Sequence, residues 1–563
     1  MRCIVLLLGL LVTPLAMAQQ SDGATHDNWP SYGGTQKAWR YSALDQINTQ
    51  NVRSLAPAWL FQTGEYSDAL QSTPLIVDGT LYLSTNHAQV FALDAATGDL
   101  KWHFQYPPPG PNAGNAVLTR PQNRGLGYGD GKIFLGTYDN HLVAIDAKTG
   151  RELWNVAVDD SKQCGCLISG APFVAKDKVI VGGTGGDGAH RGYLTAFNTK
   201  TGRLAWRFYI VPGPGKKGNE TWKGDSWKHG GGAAWMTGSY DPELNLLYWG
   251  TGNAASDFYS GDRVGKGYTG GEVNLYTASV IALDLDSGEL RWYHQEIPND
   301  MWDFDSTYEV ILVDRVINGV KRKLLIHMNK SGLVFVLDRE TGQYVNAFST
   351  IQVQNWISGL GPKGQLLGRL QPQVGKTINI CPSGLAGAKS WNQMAYSPRT
   401  GWIYTPMMEI CNEITARRQE PIEGQFYAGG SGAVNLPKGR QDYSHLDAWD
   451  PLTGKRMWTY PYKYVLLSSV LATAGDLIFS GKPDGNFFAL NARTGKELWH
   501  FQTGAGIRGS AVTYAVNGRQ YVAIPTGWGS IVGDMTARLF AGAGKNWRRG
   551  STLVVFALPE GTQ

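Results

Sequence analysis

The stretch FALDAATGDLKW, residues 91–102, contains the pattern that decides the fold. Alternating apolar residues up to Asp94 predict a β-strand. Asp94 and Gly98 then predict a tight turn, because an aspartate side chain can cap backbone N–H groups and glycine tolerates a positive φ. Trp102 begins a second strand. The stretch therefore predicts two strands joined by a turn, with a large aromatic side chain after the turn.

The same pattern recurs along the chain. Complete copies contain Asp146, Gly150 and Trp154; Asn198, Gly202 and Trp206; Asp284, Gly288 and Trp292; Asp450, Gly454 and Trp458; and Asn491, Gly495 and Trp499. A weaker copy at Asp338 and Gly342 has Asn346 at the tryptophan position, and Val555 to Leu558 resemble the start of an eighth copy. Repeats of about 40–50 residues with several strands each are typical of β-propellers. We therefore predict an all-β, eight-bladed β-propeller whose repeat tryptophans pack between blades.

The repeat runs through the chain without a linker or a low-complexity segment, so residues 19–563 are expected to form one domain. We expect the segment from Trp29 to Gly34 to complete the blade that the C-terminal strand begins. Longer intervals from residue 198 to 284 and from 338 to 450 indicate insertions. Inserted loops on one face of a propeller usually build its binding site.

Residues 1–18 are typical of a secretory signal peptide, because Arg2 precedes an apolar run and Ala16-Met17-Ala18 supplies a small-x-small cleavage site. The alternative is a membrane anchor, but the run is shorter than the roughly 20 apolar residues that span a bilayer. We expect cleavage before Gln19, a periplasmic product and no membrane span. Four cysteines then remain, a number consistent with two disulfides in an oxidising compartment.

Composition excludes several other classes. The 563 residues are 42% hydrophobic and 17% charged, which excludes a disordered chain. The net charge is only +5, from 51 basic and 46 acidic residues, and no block of Lys and Arg stands out. The charge pattern therefore gives no support to nucleic-acid binding.

Four further motifs carry a family likeness: Trp222-Lys223-Gly224-Asp225-Ser226-Trp227, Gly230-Gly231-Gly232, Gly250-Thr251-Gly252-Asn253 and Trp302-Asp303-Phe304-Asp305. With the repeat, they resemble the pyrroloquinoline quinone (PQQ)-dependent alcohol dehydrogenases of the methanol and ethanol type, over about residues 29–558. The resemblance implies a quinone on the propeller axis beside a metal ion. It also implies oxidation of a small-molecule alcohol, with hydride transfer to the quinone.

The resemblance assigns Asp303 as the catalytic base and Lys330 as the cation that hydrogen-bonds the reactive carbonyl. It implies a metal site formed by Asp187, Asn253, Asp303 and Asp305, with Asp187 where the family usually has glutamate. Asp305 is similar to the second aspartate of lanthanide-dependent members, and an additional anionic oxygen suits a trivalent ion. We favour a lanthanide. Calcium stays open, and so does a turn-capping role for Asp305.

Cofactor-binding positions follow from the same resemblance. Arg124 matches the arginine that pairs with a quinone carboxylate, Trp235 the tryptophan that stacks on the ring system, and Gln71 replaces the family glutamate. The remaining matched positions are Ser169, Thr184, Gly185, Gly186, Trp391 and Trp528.

The family's adjacent cysteine pair is absent, with Leu118 and Thr119 in its place. We hypothesise that a disulfide between Cys164 and Cys166 covers the quinone instead. Two free thiols, or separate pairing, are the alternatives. Cys381 and Cys411 match a structural disulfide of the family.

The sequence contains no C-x-x-C-H motif, so no covalent c-type haem is expected. Electrons would then pass to a separate soluble cytochrome c or another periplasmic acceptor. A homodimer is left open. The alternatives are a dehydrogenase for polyols, sugars or polymeric alcohols and, in a different class, a non-catalytic propeller scaffold.

Overall fold

The computed structural model describes residues 23–66, 68–108, 120–264, 271, 273–540 and 542–561. The expected signal peptide, residues 1–18, and Leu118 and Thr119 lie outside the described residues. Within them, the chain forms eight sheets of four or five strands and two smaller sheets. None of the helices in this part of the chain has the length and apolar character needed to cross a membrane.

Sheets 1 to 4 each use four consecutive antiparallel strands. Sheet 1 contains Leu75–Val77, Thr80–Ser84, Gln89–Asp94 and Leu100–Gln105; sheet 2 contains Gly127–Gly129, Lys132–Gly136, His141–Asp146 and Glu152–Ala157; sheet 3 contains Phe173–Ala175, Lys178–Gly182, Tyr193–Asn198 and Leu204–Tyr209; sheet 4 contains Ser239–Asp241, Leu246–Gly250, Ser279–Asp284 and Leu290–Gln295.

Sheets 5 to 8 also contain four antiparallel strands each, but those of sheets 6 and 8 are not consecutive in the chain. Sheet 5 contains Val310–Ile317, Val320–Met328, Leu333–Asp338 and Tyr344–Ser349; sheet 6 contains Ala395–Ser397, Trp402–Met408, Ser444–Asp450 and Lys455–Tyr462; sheet 7 contains Leu471–Thr473, Leu477–Gly481, Asn486–Asn491 and Glu497–Gln502, with Tyr41–Ser42 added in parallel; sheet 8 contains Val512–Val516, Arg519–Thr526, Thr552–Ala557 and Ala56–Gln62.

Short elements are inserted between these sheets. A three-stranded sheet contains Thr377–Ile380, Cys411–Ala416 and Gly430–Asn435, and a two-stranded sheet contains Gly359–Leu360 and Leu366–Leu367. The α-helices are Ser161–Cys164 and Ile531–Leu539, and the 3-10 helices are Val52–Ser54, Asn219–Thr221, Ser226–His229 and Gly544–Asn546. The three-stranded sheet and the helix Ile531–Leu539 both contribute to the site described below.

The predicted repeat turn is confirmed at its first copy. Asp94 Oδ1 accepts hydrogen bonds from the backbone N–H groups of Ala96 and Thr97, at 3.0 and 3.2 Å. Gly98 has a φ of 82°, in the region that favours glycine. The aspartate and the glycine are therefore both needed to close this turn.

The repeat tryptophans join neighbouring sheets, as predicted. Trp102 of sheet 1 donates its indole N–H to the Ala147 carbonyl beyond sheet 2, at 3.0 Å. Its ring covers Gly150, where a Cβ would lie 2.7 Å from a ring carbon. Equivalent bonds run from Trp154 to Thr199, Trp206 to Leu285, Trp292 to Arg339, Trp458 to Ala492 and Trp499 to Leu55.

The weak copy of the repeat keeps this function with other residues. Asn346 Nδ2 donates to the carbonyls of Pro451 and Leu452, at 3.1 and 3.0 Å. Phe348 packs against Gly454, where a Cβ would lie 3.0 Å from its ring. The Asn346 amide thus replaces the indole N–H donor of the repeat tryptophan, and the Phe348 ring replaces its aromatic surface.

The partner of the C-terminal strand differs from the prediction. Thr552–Ala557 pairs with Ala56–Gln62, whereas Trp29 forms an isolated bridge with Ile76 of sheet 1. The expectation that the segment from Trp29 to Gly34 completes this blade was therefore wrong. That segment contains Pro30, which cannot donate to a strand ladder, and it folds into a turn between Ser31 and Gly34.

Candidate active site

Most of the predicted site residues line one cavity of about 490 Å³. Its lining includes Gln71, Arg124, Ser169, Thr184, Gly185, Gly186, Asp187, Trp235, Asp303, Asp305, Lys330 and Trp391. Asn253 and Trp528 are buried beside it rather than in its lining. Asn253 Oδ1 lies 2.9 Å from where a Cβ on Gly186 would be, and the Trp528 ring lies 6.0 Å from the Arg508 guanidinium carbon.

Lys330 links two of the predicted carboxylates. Its Nζ lies 2.8 Å from Asp303 Oδ1 and 3.2 Å from Asp305 Oδ2, and all three side chains are buried. The Lys330 backbone N–H also donates to the Asp305 carbonyl, at 2.9 Å. The lysine that follows the strand Val320–Met328 is thereby fixed against the loop that carries both aspartates.

Asp305 is held by two further donors. Its Oδ1 accepts from the Asn253 backbone N–H at 3.3 Å and from Trp235 Nε1 at 3.4 Å. The Asn253 side chain donates to Asp257 Oδ1 at 2.7 Å, and its own Oδ1 is buried without a hydrogen-bond partner. This arrangement leaves one amide oxygen free to bind a cation.

Asp300 shapes the backbone of the motif around Asp303. Its carboxylate accepts from the N–H groups of Trp302 and Phe304, at 3.0 and 2.8 Å. Asp303 itself has a φ of 68°, a left-handed conformation that aspartate tolerates better than most residues. The turn therefore depends on both aspartates of the sequence DMWD.

The electrostatics of the cluster favour added positive charge. Burial raises the pKa of Asp303 well above its usual range, against the opposing effect of Lys330, and Asp187 and Asp305 raise it further. Burial, reinforced by Asp305, raises the pKa of Asp187 to about 6. Burial and Asp187 raise the pKa of Asp257 as well. Asp257, Asp303 and Asp305 are buried, Asp187 is partly buried, and Lys330 pairs with only two of these four carboxylates, so a bound cation would relieve their mutual repulsion.

The donor set fits a hard metal ion, which prefers oxygen ligands. Within the described residues, no group of three or more His, Cys, Asp or Glu side chains is already arranged as a metal site. Lys330 bridges Asp303 and Asp305 instead. The case for a metal ion therefore depends on the excess of carboxylates over cations in the cluster and on Asn253 Oδ1, which has no hydrogen-bond partner.

A buried positive charge, Arg124, lies between two tryptophan rings of the cavity. The Arg124 guanidinium carbon lies 5.0 Å from the Trp235 ring centre and 5.1 Å from that of Trp391. One of its nitrogens donates to Gln122 at 2.7 Å, whereas Nε and Nη1 are buried without a partner. Both polar atoms of the Gln71 amide are also unpartnered. A flat ligand with a carboxylate would satisfy these groups.

The other predicted cofactor contacts lie on short connections beside sheet 3. Ser169 Oγ donates to the Trp235 carbonyl at 3.3 Å. Thr184 Oγ1 accepts from the Leu167 N–H at 3.0 Å, and Gly185 has a φ of 102°. These contacts fix the wall of the cavity at Thr184, Gly185 and Gly186.

Both cysteine pairs form disulfides, Cys164 with Cys166 and Cys381 with Cys411. The first lies behind the cavity wall: Cys166 Cβ is 3.6 Å from where a Cβ on Gly185 would be, and neither cysteine lines the cavity. The predicted pairing of Cys164 with Cys166 is therefore confirmed, whereas its place over a bound quinone stays a prediction.

Sequence reasoning missed several lining residues. They are Gln122, Asp257, Phe258, Tyr308, Leu385, Phe426, Ala428, Gly430, Ser431, Gly432, Arg508, Ser530, Ile531, Val532 and Met535. Most lie on inserted segments outside the quoted motifs, so no local pattern marked them. Asp257 could have been found from its position four residues after Asn253.

Comparison with known proteins identifies similar chains. The family model described as PQQ: glucose/ethanol/alcohol dehydrogenase, β-propeller domain, matches residues 29–356 and 463–522. A quinohemoprotein alcohol dehydrogenase of Comamonas testosteroni is 36% identical, over 91% of this chain and 74% of its own length. The quinoprotein alcohol dehydrogenase PedH of Pseudomonas putida is 35% identical, over 93% and 90%. A solved europium-containing methanol dehydrogenase superposes with a TM-score of 0.88 at 32% identity, over 97% of this chain and 100% of its own.

Proposed function

This chain belongs to the PQQ-dependent alcohol dehydrogenase family, and from that premise we propose that it oxidises a primary alcohol to the aldehyde in the periplasm. The observation that carries the proposal is the buried Asp303, Lys330 and Asp305 cluster at the wall of a tryptophan-lined cavity. Family membership excludes the non-catalytic scaffold that the sequence left open.

An eight-bladed ring is the architecture that we propose. Its support is the number of large sheets in the described residues and the contacts that link each sheet to the next. The Trp499 indole donates to the Leu55 carbonyl before the first strand of sheet 8, and Trp59 of that strand covers Gly98 of sheet 1. The links thus return to their starting point.

A bound PQQ would supply a hydride acceptor for the alcohol carbon, and a metal ion would supply the positive charge that polarises it. We propose that the metal is held by Asp187, Asn253, Asp303 and Asp305. We propose that the quinone is held by Arg124, Trp235, Trp391, Gln71, Ser169, Thr184, Gly185, Gly186 and Trp528.

The Asp303 carboxylate is the proposed acceptor of the alcohol hydroxyl proton. Burial raises its pKa well above the usual range, against the opposing effect of Lys330, and Asp187 and Asp305 raise it further, so this carboxylate is a stronger base than an exposed aspartate. Burial alone would lower the pKa of Lys330, but Asp303 and Asp305 raise it well above its usual range. Lys330 therefore stays protonated and keeps the Asp303 carboxylate oriented through its 2.8 Å contact.

We favour a lanthanide over calcium as the metal ion. Asp305 and the missed Asp257 add carboxylates to the cluster, and a high anionic charge suits a trivalent ion. The similar solved structure is described as containing europium. Calcium remains the alternative.

The cavity wall favours a simple alcohol over a polyol or sugar. Phe258, Phe426 and Met535 contribute apolar surface to it. A sugar would bury hydroxyl groups against these side chains, at a cost for each unpaired hydroxyl.

For the electron acceptor, we propose a separate cytochrome c. The similar protein of Comamonas testosteroni is named a quinohemoprotein, whereas this sequence lacks the C-x-x-C-H motif of covalent haem. The periplasmic location follows from the expected signal peptide and agrees with the two disulfides.

Native mass spectrometry tests the proposal directly. Metal-stripped protein, residues 19–563, is mixed with PQQ and either calcium or lanthanum, and 1-butanol and glucose are then supplied with an artificial electron acceptor. We expect one quinone and one metal per chain, tighter assembly with lanthanum, and faster oxidation of 1-butanol. Absence of a quinone complex with both metals would contradict the assignment.

A further inference from the structure

We propose that Arg508 is a second carboxylate-binding residue of the cavity, acting beside Arg124. The inference rests on the proposed function, since it treats the cavity as the cofactor and substrate site. It adds an anion-binding group for which the sequence motifs gave no signal.

Arg508 lies on the connection between sheets 7 and 8 and lines the cavity. Its side chain is fully buried, at 0% exposure. The guanidinium carbon lies 5.1 Å from the centre of the Trp391 ring, the same distance as that of Arg124. One tryptophan therefore contacts two buried cations.

The hydrogen bonds of Arg508 leave it incompletely satisfied. Nη1 donates to the Leu467 carbonyl at 3.3 Å and Nη2 to Ser530 Oγ at 3.0 Å, whereas Nε is buried without a partner. Ion pairs found in the described residues include neither Arg508 nor Arg124. Both side chains are thus held in place by neutral groups, with donors unused.

Two unpaired buried cations are costly unless an anion joins them. Burial and the positive charge of Arg124 lower the pKa of Arg508 to about 9, against the opposing effect of Asp68 and Asp534, neither of which forms an ion pair with it among the described residues. Arg508 nevertheless remains charged at neutral pH. A carboxylate is the matching ligand, because its two oxygens accept from the planar fork of a guanidinium.

Two molecules could supply this carboxylate. PQQ carries three of them, and an alcohol substrate that is also a carboxylic acid carries one. The shared chemistry is a carboxylate bound next to the Trp391 ring, and the experiment separates the two sources.

The test compares Arg508→Met, Arg508→Lys and wild type, with Arg151→Met as a control because Arg151 is exposed. Quenching of tryptophan fluorescence measures the Kd of PQQ and of PQQ trimethyl ester in the presence of lanthanum. If the cofactor is the source, Arg508→Met weakens PQQ binding about tenfold or more and leaves ester binding nearly unchanged. Arg508→Lys falls between, and the control matches wild type.

If a substrate is the source, PQQ binding is unchanged, and in the loaded enzyme Arg508→Met raises the KM for 6-hydroxyhexanoate about tenfold but not that for 1-hexanol. Unchanged values in both arms would overturn the proposal.

Melting of the unloaded protein provides a separate readout. Removal of an unpaired buried charge should leave the melting temperature of Arg508→Met equal to or above that of wild type. A lower melting temperature, with PQQ affinity and the KM for 6-hydroxyhexanoate both unchanged, would assign Arg508 a structural role and overturn the inference. If wild type does not bind PQQ but isophthalate raises its melting temperature, and that of Arg508→Met stays constant, the proposed function fails and the anion site stands.

Discussion

Asp303 is the residue on which the proposed chemistry depends most. Replacement by asparagine keeps the shape and the left-handed backbone but removes the proton acceptor. We expect Asp303→Asn to lower kcat by about 10²–10⁴-fold, the usual contribution of a general base. Steady-state alcohol oxidation measures the effect. Asp45→Asn, at an exposed residue, is the control, and more than a tenth of wild-type activity in Asp303→Asn would exclude the assigned role.

At the scale of single residues, the motifs predicted which side chains lie together in the cavity, but not the individual contacts that these side chains make. Asp303, Asp305, Asn253 and Trp235 were placed together from their motifs, and the structure brings them within hydrogen-bond distance of one another or of Lys330. Arg508 was not predicted, because an arginine between glycines carries no local pattern. Its burial depends on packing between two sheets that the sequence does not reveal.

At the scale of the strand, two similarly buried tryptophans permit a matched test of docking. Trp206 and Trp59 both cover a glycine, but only the Trp206 indole donates a hydrogen bond, to Leu285, at 2.9 Å; Trp59 Nε1 has no partner. We expect Trp206→Phe to lower the free energy of unfolding by about 1 kcal/mol more than Trp59→Phe, because it leaves a carbonyl unpaired. Urea denaturation measures both. Equal losses would show that ring packing alone joins the sheets.

Sheet 6 contains a buried charge cluster that makes stability depend on pH. His445 Nε2 lies 3.0 Å from Glu409, and its Nδ1 lies 2.9 Å from Asp447, which Arg456 approaches at 4.0 Å. Burial alone would lower the pKa of His445, but Asp447 and Glu409 raise it to about 9 from 6.5.

The raised pKa means that protonated His445 contributes its full stability below pH 6.5 and loses it as the pH rises toward 9. The shift corresponds to about 3 kcal/mol. We expect urea midpoints of the wild type to fall across this window, and those of His445→Gln to be lower at pH 6 and to change less with pH. Parallel pH profiles for the two proteins would assign the dependence to other groups.

At the scale of the whole molecule, the repeat could be predicted from sequence because each copy needs the same two features. These are a turn closed by residues such as Asp94 and a contact to the next sheet such as that of Trp102. Asn346 marked a weak copy, yet its amide keeps the contact to the next sheet. Pairing between the two ends of the chain was predicted with the wrong partner. Local pattern could not distinguish Ala56–Gln62 from the earlier segment, since the choice depends on which strand lies next to the C terminus after folding.

This pairing makes the last strand a requirement for folding. Thr552–Ala557 lies between Ala56–Gln62 and Arg519–Thr526 in sheet 8, and Leu553 to Phe556 are buried. Deletion of residues 552–563 would expose two strand edges and the apolar surface that these side chains cover. We therefore expect the truncated protein to be insoluble or rapidly degraded by trypsin, whereas deletion of residues 561–563 leaves yield and protease resistance unchanged. Arg508, which lines the cavity, lies just before the strand Val512–Val516 of sheet 8, so loss of this sheet should also disturb the cavity. A soluble truncated protein that still binds PQQ would show that the cavity forms without the strand Thr552–Ala557.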